Sequence, residues 1–417
     1  MIREIEYTGV FDITKYVDQY NDKIGWTEAF RQAISDAEKA GGGVIYVPPG
    51  KYSTFSIQLK SNMTLYLSNG AELDFIDDIS GYETVMTEFE GILREAYMPC
   101  IYAYQAQNVS VKGDGVINGN GRVWWKAFER GELTKARPYL ICFQECENVK
   151  IENVFLKNSP CWTVHMLYCS NVLMKGISIK NPEISPNTDG INPDGCSNVK
   201  ILDCLIDVGD DCIAIKSGTE QTPVLKPCEN IIISNCHMLH GHGGVVIGSE
   251  MSGDVRNISV SNCIFQETDR GLRVKSRRRR GGVVENIHFN NVIMDKVSCP
   301  FVFNMYYFCG ENGKEKYVWD KEAYPIDEGT PVFKDFHISN VTVTKASACA
   351  GFISGLKEMP IKNVSFSNVS IEMDSKGEPA YPAMMDGIEK MSAAGFFIEN
   401  TEEITMENVK VKNAVDL

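Results

Sequence analysis

The sequence predicts an all-β chain: a right-handed parallel β-helix, or solenoid, with an N-terminal amphipathic capping helix. Three observations carry this. A short phrase opening with Asn recurs along the chain, each copy alternates apolar and polar residues, and only one extended segment shows clear helical spacing. The phrase reads "NVKIEN" at Asn148, "NVLMKG" at Asn171, "NVKILD" at Asn198, "NIIISN" at Asn230, "NISVSN" at Asn257 and "NIHFNN" at Asn286. The steps between them are 23, 27, 32, 27 and 29 residues, with weaker copies at Asn62, Asn108, Phe336, Asn363 and Glu403. Alternation is the period of a half-buried strand, and β-branched residues fill the inward positions. A β-propeller would repeat every ~40 to 50 residues, so its blades are too long for these steps.

The opening Asn of each phrase is expected to bond its equivalents on neighbouring coils, forming a ladder at a turn. The exception to the strand pattern is Thr27 to Tyr52, where Ala29, Phe30, Ala33, Ile34 and Ala37 share one helical face. Thr27 is the expected N-cap, and Gly41 to Gly43 stop the helix. A solenoid exposes apolar surface at its first coil, so a helix there is expected to act as a cap. No Gly/Ser-rich linker divides the chain. The expectation is one domain over 1–417, with the cap at about 1–55, coils from about 56, and the active-site coils at about 148–310.

Composition narrows the functional classes. Lys and Arg number 41 against 55 Asp and Glu, a formal net charge of −14, which disfavours nonspecific binding to nucleic acid or to an anionic membrane. No stretch reaches the ~18 apolar residues of a membrane span, and "MIREIEYTGVFDITKYVD" lacks a secretory core, so a cytoplasmic location is expected. The 14 cysteines lie scattered, several in one recurring context ("ILDC", "ISNC", "VSNC"), and read as small buried hydrophobes. None shows Cys-x-x-Cys spacing, so no metal is expected.

Four polar clusters interrupt the regular background: "NTDG" (187–190), "GDDCIAIKSG" (209–218), "HGHGG" (240–244) and "RGLRVKS" (270–276). Counted from the Asn opening each coil, Asp189 lies 18 residues on, Asp210 12, His242 12 and Arg273 16. That shared phase predicts one face. At ~4.8 Å per coil, Asp189 and Asp210 would lie a few ångströms apart and Arg273 about 14 Å from Asp189. Gathered aspartates repel, which splits their roles into proton donor and acceptor, as cleavage of a glycosidic bond requires. Asp210 and Asp211 are neighbours and would face opposite ways on a regular strand, so both reach the cleft only if the backbone bends near Gly209. Arg273 and Lys275, two apart, suit a sugar carboxylate on an otherwise acidic protein. The run Arg277 to Arg280 reads mainly as solvated surface, and His240 as structural.

At these clusters the sequence resembles the polygalacturonases, glycoside hydrolase family 28. The marks are Asn187-Thr188-Asp189, Asp210-Asp211, Gly241-His242-Gly243 and Arg273-Val274-Lys275, the last with Val where the family has Ile. The resemblance implies a right-handed parallel β-helix and inverting hydrolysis of α-1,4 bonds between galacturonic acids, without metal or cofactor. It implies Asp210 as general acid, Asp189 with Asp211 as activators of water, His242 as a tuner of protonation, and Arg273 and Lys275 as carboxylate binders. Asn187 would orient Asp189. "SPCWTVHML" (159–167) resembles a piece of bacterial exo-acting members and offers Trp162 as a sugar platform and His165 as a contact. The insertions at 88–99 and 124–139 would wall one end of the cleft, and the expected cytosolic location favours exo action, trimming imported oligosaccharides from the chain end. The expected partner is a galacturonate-containing oligosaccharide or polysaccharide. Alternatives are a hydrolase of another uronide such as a rhamnogalacturonan oligosaccharide, a calcium-dependent pectate lyase, and a noncatalytic carbohydrate-binding solenoid.

Overall fold

The computed structural model describes residues 9–21, 23–308, 310 and 312–415. The chain divides into two compact units, residues 1–89 with 93–210, and residues 90–92 with 211–417. The divide falls between Asp210 and Asp211, inside a motif and away from any flexible linker, where composition offered no sign of a boundary.

Each unit is built of parallel strands stacked in register, as a β-helix requires. In the first unit Glu147–Glu152, Ser170–Lys175 and Ser197–Leu202 pair so that Val149, Val172 and Val199 form one column and Ile151, Met174 and Ile201 another. In the second, Cys228–Ser234, Val255–Gln266, Val283–Asp295, Val332–Ala346, Ile361–Met373 and Thr401–Lys412 follow one another. Ile231, Ile258, Ile287, Phe336, Val364 and Ile404 share a column there. Connections between parallel strands of one sheet are right-handed, which sets the hand of the coil. The alternating phrases put their β-branched and aromatic residues inside, and these columns are the core.

The Asn ladder is present. Asn62, Asn108, Asn148, Asn171 and Asn198 all hold φ between 56° and 61°, a left-handed conformation that Asn tolerates better than most residues. Each amide donates to the one before it, at 2.8, 3.2, 3.3 and 3.4 Å in turn. In the second unit Asn257 donates to Asn230 at 3.0 Å and Asn286 to Asn257 at 2.7 Å. A turn that every coil repeats is thus closed by the side chain best able to sit in it.

The helix Thr27–Lys39 buries Ala29, Phe30, Ala33, Ile34 and Ala37, the face read from the sequence. Its start differs from expectation. Thr27 is the first helical residue and not the N-cap, because its hydroxyl is engaged elsewhere, accepting from the Phe55 amide at 3.0 Å and donating to the Ile24 carbonyl. Thr27 therefore ties the helix to the strand edge behind it. At the other end Gly42 (φ 132°) bonds the Ala37 carbonyl at 2.8 Å, where a side chain would strike the Asn62 backbone. The insertion predicted at 88–99 lies in the strand pair Thr84–Phe89 and Ile92–Tyr97, and the one at 124–139 begins in the helix Arg122–Glu129.

The cysteines described are buried thiols, most of them packed in the stack as predicted. Cys309 lies outside the described residues. No described helix is long and apolar enough to cross a membrane.

Candidate active site

In the first unit, the stiff polar stretch at 185–195 is held at both ends. Asn181 receives the Ser159 amide at 2.8 Å and donates to Thr163 Oγ1 at 2.8 Å, which fixes the start of the loop. Thr188 is buried against Ser185. The Thr163 amide bonds the Asp189 carbonyl at 2.8 Å, and the strand Ile191–Asp194 follows at once. Asp189, 3% exposed, accepts from Asn192 Nδ2 at 2.9 Å. The residue that orients Asp189 through its side-chain amide is thus Asn192, a residue the sequence reading did not single out.

Asn187, expected in that role, is committed elsewhere: its carbonyl oxygen accepts from Arg137 Nη2 at 2.6 Å. The same guanidinium donates to the carbonyls of Pro186 at 2.8 Å and Pro160 at 3.1 Å, while its carbon sits 3.9 Å from the Phe128 ring centroid. Arg137 is buried and pins the Asp189 loop from the 124–139 insertion. No local pattern in "KARPY" marks it; the role exists only once the fold brings residues 50 apart together.

Trp162 and His165 also differ from expectation. Trp162 is 3% exposed, stacked on Tyr139 at 5.3 Å and on Phe89 at 5.9 Å. A sugar platform needs an open ring face, and this ring is part of a core cluster with Tyr102, Cys142 and Cys161. His165 has no exposed surface; Nε2 lies 3.3 Å from Asp194 Oδ2 and Nδ1 3.7 Å from Cys142 Sγ. It is not placed as a direct sugar contact.

Asp210 is half-buried, in a bend that follows Gly209. A side chain at Gly209 would meet the carbonyls of Ser185, Pro182 and Glu183 at 2.6 to 2.9 Å, so only glycine lets the Asp189 loop lie against this turn. The bend predicted near Gly209 is present.

In the second unit, Asp211 opens the strand Asp211–Ile215 and is buried. Arg273 and Lys275 share a face of Arg270–Lys275, as their spacing predicts. Arg273 Nη1 lies 3.2 Å from Asp211 Oδ1, and Lys275 Nζ 2.7 Å from Oδ2. Both cations stand over the Tyr307 ring, at 5.5 and 5.2 Å from its centroid. A Cβ at Gly243 would strike Val246 Cγ2 at 2.5 Å and press on Asp211 Oδ1 at 3.3 Å. That gives the second glycine of Gly241-His242-Gly243 a reason.

Burial alone would raise the Asp211 carboxyl. Lys275 and Arg273, with a smaller part from His242, outweigh it and hold the group well below the usual carboxylate range. Burial and Arg273 push Lys275 down, but Asp211 and Tyr307 bring it above its ordinary value. His242 is exposed. His240 sits 3.5 Å from Glu267, in keeping with the structural role expected of it.

The arginine run is not solvated surface. Arg277 and Arg280 grip Glu220, and Arg278 is forked on Glu358 and on the carbonyls of Tyr317, Asp320 and Glu322; only Arg279 is exposed. A second buried pair, Lys216 with Glu250 at 3.0 Å, lies in the same unit. Burial would raise Glu250, but Lys216 and Arg280 bring it down to about 2.

Among the described residues no group of His, Cys, Asp and Glu is arranged to hold a metal ion. The chemistry on offer is that of carboxyl groups in unlike settings: Asp189 held by a neutral amide, Asp210 partly open to solvent, and Asp211 fixed between two cations.

The sequence profile described as Glycosyl hydrolases family 28 matches residues 86–392, most of the chain. This chain belongs to glycosyl hydrolases family 28. It is 34% identical over 364 residues to a protein described as a probable polygalacturonase from Vitis vinifera, covering 84% of this chain and 72% of that one. Among solved structures it is similar to a hyperthermoactive exopolygalacturonase from Thermotoga maritima, with a TM-score of 0.80 and 28% identity over 98% of this chain and 93% of that one. A family 28 exopolygalacturonase from Yersinia enterocolitica shares the fold, with a TM-score of 0.77 at 20% identity, covering 97% and 76% of the two chains.

Proposed function

We propose that this family 28 enzyme hydrolyses α-1,4 bonds between galacturonic acid units with inversion, acting from the chain end on pectin-derived oligosaccharides. The observation that carries the reading is the clamp on Asp211. Two cations meet one carboxylate, so the carboxylate stays ionised within a cationic pair whose chemistry suits an acidic sugar. In this scheme Asp210 protonates the leaving glycosidic oxygen as its bond to the anomeric carbon breaks. Asp189 and Asp211 draw the proton from a water whose oxygen forms the new bond on the opposite face. His242, through its effect on the local charge, adjusts the protonation of the acid. Arg273 and Lys275 take the sugar carboxylate while remaining tied to Asp211.

Exo action is supported by the exopolygalacturonase from Thermotoga maritima, similar over nearly the whole of both chains. The buried thiols support a reducing, cytoplasmic compartment, where imported oligosaccharides would be trimmed. Incubation with di- to penta-galacturonate, followed over time by mass, tests the proposal. Release of terminal units from the first minutes is expected. A ladder of mid-sized oligomers early in digestion contradicts exo action, and products carrying an ultraviolet-absorbing double bond contradict hydrolysis.

A further inference from the structure

In the first unit a groove of about 880 Å³ opens beside the helix Arg122–Glu129, within the ~300–1,000 Å³ usual for ligand sites. None of the residues assigned to catalysis lines it. The two sides of the helix do different work. Trp124 and Ala127 are buried, Trp124 edge-on to Tyr82 and Tyr97, and Phe128 meets Arg137, so that side holds the fold together. With about 3.6 residues per turn, Arg122, Trp125 and Lys126 fall on the other side, and all three line the groove.

Trp125 meets the requirement that Trp162 fails. Its Nε1 donates to the Ser159 carbonyl at 2.9 Å, which fixes the half-buried ring, and among the described residues no other ring stacks on it. A sugar ring can lie against an indole held in this way. Arg122 and Lys126 are exposed, and neither makes an ion pair among the described residues. Of the two carboxylates in the lining, Asp74 is already matched, by Lys51 at 3.0 Å and by the amides of Asn118 and Asn120 at 2.8 and 3.1 Å. Asp77 alone then stands against two cations. Asn158 gives its Nδ2 to Asn118 at 2.9 Å and keeps its side-chain oxygen, which accepts from no described group, for a hydroxyl. Because the exposed Arg122, Lys126, Asp77 and Pro182 belong to the lining, the groove is open to solvent.

We propose that this groove is a second, noncatalytic binding site for an acidic oligosaccharide. Trp125 carries the apolar face of one ring, Arg122 and Lys126 take carboxylates, and Asn158 accepts from a hydroxyl. The choice of galacturonate as the sugar rests on the hydrolase reading above; the groove itself does not.

Calorimetric titration of trigalacturonate into Asp210→Asn, which removes turnover, tests this. Two bound trisaccharides per chain are expected. Adding Arg122→Ala with Lys126→Ala should weaken one of them by about 10- to 100-fold, the loss of charge-assisted bonds, and leave the other unchanged. Trp125→Leu should weaken the same site, and Trp125→Tyr, which keeps a ring, should weaken it less. Trigalactose with the same α-1,4 links but no carboxylates should not fill the groove. With Asp210 intact, the Arg122 and Lys126 double variant should keep the wild-type kcat and KM on trigalacturonate. A single bound trisaccharide that the double substitution leaves untouched overturns the inference, as does a groove that takes trigalactose equally well. A double variant whose KM rises in step with the lost binding overturns it too, because the groove would then be part of the catalytic site. If wild type fails to hydrolyse trigalacturonate while the groove still binds it, the proposed function falls and this inference stands.

Discussion

Asp189 and Asp211 are both buried aspartates in family motifs, yet the protein treats them in opposite ways. Asp189 is held by the neutral amide of Asn192, on a loop pinned by Arg137 and stiffened by two prolines. Asp211 is held by Arg273 and Lys275, with Tyr307 against both cations. An amide fixes the geometry of a carboxyl group without fixing its charge, whereas two cations fix both. The contrast supports a division of labour in which Asp211 is kept ionised to activate water together with Asp189, while Asp210 supplies the proton.

The contrast can be broken at several points. The largest effect is expected at Asp210, which is half-buried. Asp210→Asn should lower kcat by about 10²- to 10⁴-fold, as loss of a general acid does, while leaving stability within about 0.5 kcal/mol. Steady-state kinetics beside urea unfolding would check both halves. A fully active Asp210→Asn would remove the acid assignment.

Next comes the stability difference between the two buried sites. Asp211→Asn leaves Arg273 and Lys275 buried without their carboxylate, and breaking such a pair is expected to cost about 3–5 kcal/mol. Asp189→Asn disturbs the hydrogen bond that the Asn192 amide gives the carboxyl group and should cost less, about 1.5–3 kcal/mol. Equal losses in urea unfolding would mean that the clamp is not what distinguishes them.

The pH dependence sharpens the same point. The folded Asp211 group is depressed below its unfolded value of about 3.9, so its contribution is complete above that value and is lost as pH falls through the folded one. The stability gap between wild type and Asp211→Asn should therefore be flat from about pH 5 to 7 and close only in stronger acid. A gap that closes between pH 6 and 5 would contradict the clamp. The smallest effect is expected in the ladder. Asn257→Ala removes two amide bonds and strains a residue at φ 58°, for about 1–2 kcal/mol, while Asn257→Gly relieves the strain and should cost less. If alanine and glycine cost the same, backbone conformation is not why Asn stands at these turns.

What could be read from the sequence was what repeats. The Asn phrases announce themselves because most coils solve the same turn with the same residue, and the cap helix because its apolar face has the helical period. The motif residues could be read because glycine, proline and aspartate crowd where the background is monotonous. What could not be read depends on partners far along the chain. Arg137 meets Asn187 across 50 residues, and Arg278 meets Glu358 across 80, so a run that looked like surface charge is largely buried and paired. Trp162 offered an aromatic next to a motif, and only the stack with Phe89 and Tyr139 shows that its faces are taken. Asn192 and Asp194 follow directly after the Asn187-Thr188-Asp189 mark but carry no spacing signal of their own. Their importance comes from what they hold: Asn192 the carboxyl group of Asp189, and Asp194 the ring of His165.

The central claim is a hydrolysis in which one carboxyl group gives a proton while clamped and amide-held partners activate water. Proton NMR of the anomeric region, recorded in the first minutes of trigalacturonate cleavage, tests it most directly. The account expects the newly formed reducing end to appear first as the β-anomer and then mutarotate; first appearance of the α-anomer would contradict it.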